Sequence, residues 1–265
     1  EYNSIVNQNL IWSIVFIGII LFLLALNIYL WNIHKEKIYI HYILYMFATL
    51  FMYVGFEGHL YKFGLENSFI DHVIFLSVRL WIFSLIMFTV KFLEVRIFNP
   101  NYYKFILFVL ITILGSNTIY QFSFYNSSVS QLHYYENVLS FFWLGLILVT
   151  ILISAKSRKL ELKYYLIPLS CFLVFIVLGL MDGHFHVLPG SPFVYIKMGT
   201  LIEFIGFTYF MTLLIKRKID NADNLQSELI KKSEELIAKS KKLEELNKLL
   251  EVKPNVEKTD LIKIF

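Results

Sequence analysis

The chain has 265 residues, 57% of them hydrophobic, with a mean hydropathy of +0.63 and a formal net charge of +4. Its 24 Lys and Arg and 20 Asp and Glu divide in equal numbers between the first 215 positions and the last 50, so a charge-poor body precedes a charge-dense tail. Soluble domains run at about 45–50% apolar and about 25% charged; the division excludes a single soluble globule and a fully disordered chain, and describes an integral membrane protein with a hydrophilic extension.

The chain opens on Glu1 rather than Met, which reads as a fragment or a processed product, and no signal peptide is visible. Residues 1–9 are expected as an extracellular or periplasmic lead-in. Runs of membrane-spanning length, about 20 residues with few charges, then recur near Leu10–Trp31, Ile38–Leu60, His72–Leu93, Tyr103–Gln121, Leu132–Ser154, Lys163–Met181 and Phe193–Ile215. They lack the alternating pattern of barrel strands, so the fold class expected is all-α: a seven-helix transmembrane bundle over residues 10–215. The single cysteine, Cys171, cannot form an internal disulfide or a Cys-based zinc site and is expected as a small buried hydrophobe.

The connections carry the orientation. Lys35 and Lys37, then Arg96 with Lys91 and Lys104, then Lys156, Arg158, Lys159 and Lys163, and finally Lys216, Arg217 and Lys218 mark one side; the alternate connections hold only Lys62. The positive-inside rule then puts the N-terminus outside and the tail in the cytoplasm. Trp12, Trp31, Tyr61, Tyr102 and Tyr103 near span ends suit interfacial belts.

Residues 216–251 read as one polar helix. Ala222, Leu229, Leu236, Leu243 and Leu250 occupy the a positions of a heptad, while Leu225 and Leu246 share the d positions with Lys232 and Lys239. This predicts a weak cytoplasmic coiled coil, and with it a homodimer; a solvated single helix is the alternative. Ile215 falls in the same register, so the last span and the tail are expected as one rod. Lys253-Pro254-Asn255 is expected to end the helix, and residues 252–265 to be a linker and the start of a truncated output domain.

Two stretches resemble the bacterial seven-transmembrane receptors with diverse intracellular signalling modules, the DISM family. One is the first hairpin, with Gly18, Asn27 and the Tyr-rich segment Tyr39–Tyr61; the other is Gly199–Lys218, with a Gly-x-x-x-Glu and a basic exit into a coiled coil. The resemblance implies a signal transducer in the bacterial inner membrane. It would couple an external ligand or sensory domain to a cytoplasmic kinase, cyclase or helix-turn-helix module. The last nine residues could lead into such a helix-turn-helix, although this chain itself carries no element that would contact nucleic acid.

Charges inside a membrane usually face the bundle interior and pair. Arg79 and Glu203 both fall on the order of 10–15 Å below the outer surface at 1.5 Å per residue, and Glu57 and Lys197 both fall about one turn below it. Pairs Arg79–Glu203 and Glu57–Lys197 are therefore expected, as static bundle contacts or as a switch acting on the seventh helix. His59, His72, His133, His184 and His186 gather toward the outer rim with Asp71 and Asp182. Asp182-Gly183-His184-Phe185-His186 could bind zinc or sense pH, but His-x-His on a loop more often has no special role, so no cofactor is assigned. Two other function classes stand beside the signal transducer: a seven-span metal-dependent membrane hydrolase, which needs a His/Asp cluster on the cytoplasmic side, and a transporter or scaffold, which the unbroken spans do not favour.

Overall fold

The computed structural model describes residues 2–57, 67–123, 142–143, 145–156, 159–185 and 192–262, with side chains at 11–57, 69–122, 142–143, 145–156, 159–179, 181 and 194–248. Its elements in chain order are α1 (Tyr2–His34), α2 (Lys37–Phe56), α3 (Asn67–Phe92), the single turn α4 (Val95–Phe98), α5 (Pro100–Ser123), α6 (Gly145–Ala155), α7 (Lys159–Phe185) and α8 (Pro192–Ile262). There is no strand among the described residues. Among the described residues six helices are long and apolar enough to cross a membrane, and α6 is a shorter apolar one.

Two compact units divide the chain, Glu1–Met211 and Thr212–Phe265. In the first, outward side chains are apolar: Phe22, Phe108 and Ile111 are each about two-thirds exposed. Water would penalise such a surface and bilayer hydrocarbon does not. Packing between helices therefore relies on shape and on polar contacts. An aromatic cluster fills the centre. Tyr42, Tyr45 and Phe88 meet Phe204 and Phe207, and Phe92 and Tyr165 extend the group onto α7, with ring centroids 5.0–6.2 Å apart.

The short turns are coded locally. Lys35 and Glu94 take left-handed backbone (φ 54° and 52°) and turn the chain after α1 and α3. Lys35 is held there by its ammonium over Trp31 and by a bond to Asn32. Asn99 accepts from the Tyr102 amide with its side chain and Pro100 opens α5, a polar cap followed by the residue that needs no amide partner. Glycine is required where α7 meets α8. A Cβ on Gly199 would lie 2.6 Å from the Phe175 Cβ, and one on Gly206 would lie 3.0 Å from Pro168. Cys171 is only partly buried, because α7 turns much of its surface outward.

The second unit is helical throughout its described residues. From Lys216 to Lys248 every side chain is exposed. Leu225, Leu229, Leu236, Leu243 and Leu246 are 55–66% exposed, and Ala222 is exposed with them. Glu228–Lys232 (3.0 Å) and Glu244–Lys248 (2.9 Å) are ion pairs one turn apart that support the helix. The Leu250 side chain lies outside the described residues. The helix does not end at Lys253-Pro254-Asn255: α8 runs through Pro254 to Ile262. A proline removes one amide donor and crowds the carbonyl four residues earlier, which weakens a helix locally without having to stop one made of strong helix formers.

Candidate functional site

The charged residues of the last span belong to one polar stripe. Lys197, Thr200, Glu203, Phe204 and Thr208 recur at near-helical spacing and share a face of α8. Each is met by a group from α1 or α2. The Lys197 ammonium pairs with Glu57 at the end of α2 and donates to Ser13 of α1 at 2.9 Å. Thr200 and Tyr53 share a hydrogen bond of 3.1 Å. Tyr45 donates to both carboxyl oxygens of Glu203, at 3.2 and 3.3 Å. Tyr42 donates to the Phe204 carbonyl at 2.6 Å, and the Asn27 amide donates to Thr208 at 3.0 Å. Along α2 the partners run 57, 53, 45, 42 as α8 runs 197, 200, 203, 204, so the two helices are antiparallel and joined rung by rung.

Donor roles follow from the threonines. Thr200 donates to the Ile196 carbonyl of its own helix, so Tyr53 is the donor between them. Thr89 on Leu85 with Tyr165, and Thr150 on Leu146 with Tyr102, repeat the arrangement on α3–α7 and α5–α6. A tyrosine hydroxyl thereby bridges two helices without leaving its proton unused, which matters where no water can take it.

The pair Glu57–Lys197 is present. Arg79 and Glu203 are not paired. Glu203 is fully buried and its polar partner is Tyr45. Arg79 turns to α5, where its guanidinium donates to Gln121 and, at 3.5 Å, to Thr118. Gln121 passes the contact on, its amide donating to the His72 ring (2.8 Å) and the His72 carbonyl (3.0 Å). Depth alone could not choose between these partners, because it fixes the level of a side chain and not its azimuth on the helix.

His72 is therefore a structural partner of Gln121 and is buried, and Asp71 beside it is half-buried. His59, His133 and His186 lie outside the described residues, as do the side chains of Asp182 and His184, so the zinc or pH reading of that segment falls there. Among the described residues no group of three His, Cys, Asp or Glu side chains converges to hold a metal.

In the sequence the charges stood out as contacts between helices, whereas the uncharged rungs stood out only as part of the family resemblance. Asn27, Tyr42, Tyr45, Tyr53, Thr200, Thr208 and Gln121 carry most of the buried hydrogen bonds between helices. The available signal was their placement: each is a hydrogen-bonding side chain within a span, and those of α8 fall on one face.

The family model for 7TM diverse intracellular signalling matches residues 8–214, nearly the whole membrane body. No curated protein and no solved structure gives a significant match.

Proposed function

We propose that this chain, which belongs to the 7TM diverse intracellular signalling family, is a receptor that carries an external cue through α8 to a cytoplasmic effector. Membership makes it a multi-span membrane protein of a signalling family. The observation that carries the finer reading is the rung-by-rung attachment of the last span to α1 and α2. A helix held by discrete hydrogen bonds has a small set of alternative registers, and a cue that favours one of them shifts the population.

The basic connections support an outside N-terminus and a cytoplasmic tail in a bacterial inner membrane. The exposed leucine stripe of the tail supports a homodimeric coiled coil as the carrier of the signal. A kinase, a cyclase or a DNA-binding module would serve as the effector. The test is a one-residue insertion between Ile215 and Lys216 in the intact receptor. It rotates everything downstream by about 100°, so output is expected to lock or to be lost. An unchanged response would rule out a rigid helical carrier.

A further inference from the structure

Beside the Lys197 rung, α1 and α8 do not close on each other. A cavity of about 320 Å³ lies between them, at the small end of the roughly 300–1,000 Å³ usual for small-molecule sites. Trp12, Val15, Phe16 and Ile19 form the α1 wall, a single helical face. The α8 wall descends from Val194 through Met198 and Leu201 to Ile205. Val15 and Ile205 are also exposed on the outside of the bundle, at 44% and 54%, so the space opens sideways toward bilayer hydrocarbon. Water is a poor occupant, because it needs two to four polar partners. An empty slot forfeits the dispersion contacts of its walls. A hydrocarbon chain satisfies both conditions, and the volume suits one chain rather than the two of a phospholipid.

The one charge of the wall is Lys197, only 7% exposed. Its ammonium has three hydrogens. Ser13 and Glu57 take two, and the Phe16 ring centroid lies 5.8 Å away. The third hydrogen meets no oxygen acceptor among the described residues. Lys197 stands near the start of the apolar segment that opens at Val194, and the apolar wall continues about 12 Å beyond it to Ile205 at 1.5 Å per residue. A buried cation at the head of a single-chain apolar slot is complementary to a long-chain carboxylate. The geometry points to a binding site for a free long-chain fatty acid, its carboxylate on the Lys197 ammonium, the first part of its tail in the cavity between α1 and α8 and the remainder leaving sideways into the bilayer. Such a ligand would compete with Glu57 for the uppermost rung.

Binding is read without any effector, so its outcome is separate from that of the signalling proposal. The full chain in phosphatidylcholine nanodiscs is exposed to a fatty acid bearing a photoactivatable diazirine on its chain, and the label is mapped by mass spectrometry. Label is expected on the facing residues of α1 and α8, displaced by oleate. The methyl ester, which cannot pair with an ammonium, is expected to label about tenfold less, and Lys197→Met to weaken the acid by a similar factor. Val15→Trp fills the slot from a lipid-exposed position and is expected to abolish labelling, whereas Val177→Trp on the outer surface of α7 leaves it intact. Label spread evenly over the lipid-facing helices, or unchanged by Val15→Trp, overturns the site. Equal labelling by acid and ester overturns the fatty acid and assigns the slot to an ordinary lipid chain.

Discussion

Glu203 is the most demanding side chain in the bundle: fully buried, in the middle of a span, with a phenol as its partner. Tyr45→Phe removes that hydroxyl and leaves the carboxyl without a donor, which is expected to lower stability by about 1–3 kcal/mol. Tyr53→Phe removes a hydroxyl of the same kind. Its partner Thr200 keeps its own bond to Ile196, so the loss should be nearer the average of about 0.6 kcal/mol found for such contacts in membranes. Thermal unfolding of both variants in one detergent measures the difference, and equal losses would mean that Glu203 finds another donor. Lys197→Met takes the ammonium away from Glu57 and is expected to cost about 3–5 kcal/mol. Combining it with Glu57→Gln should recover most of that loss, and a double-mutant cycle with no coupling would show that the pair contributes nothing. At this scale the charges announced themselves in the sequence, and one of the two expected pairings did with them. Glu57 and Lys197 share a level and also a face. Arg79 shares a level with Glu203 but looks toward α5, and azimuth is set by packing that no single span encodes.

Between elements, the contact of α7 with α8 depends on two glycines seven residues apart. Gly199→Ala pushes a methyl against the Phe175 Cβ, an atom fixed to the backbone, and is expected to cost about 1–3 kcal/mol by overpacking. Gly145→Ala meets nothing within 4 Å and should be neutral or stabilising by about 0.5–1 kcal/mol. Comparing melting temperatures of the two separates packing from helix propensity. Element identity was legible because hydropathy over a span is a sum of many residues, and the sum survives local exceptions such as Arg79. Single-residue punctuation was less legible. Asn99-Pro100 starts a helix as its chemistry dictates, while Pro254 lies inside one, where a long run of helix formers outweighs a single missing donor.

For the whole molecule, the tail exposes a leucine stripe, and the proposed dimer would cover it. With Cys171→Ala as background, Leu229→Cys is expected to form an intermolecular disulfide under mild oxidation, and Ile230→Cys, off the stripe, to form far less. Equal yields would remove the dimer. The membrane body was legible from its division of charge, whereas the chemistry of a cue was not, because the slot beside Lys197 arises only where two distant helices face each other. One rung differs in kind from the rest. Tyr42 grips the Phe204 carbonyl, an oxygen that α8 also uses for its own ladder through the Thr208 amide. Every amino acid offers that oxygen. This rung therefore asks nothing of the side chain at 204 beyond its packing against Tyr42 and Tyr45, and its hydrogen bond is inherited through the hydroxyl of residue 42.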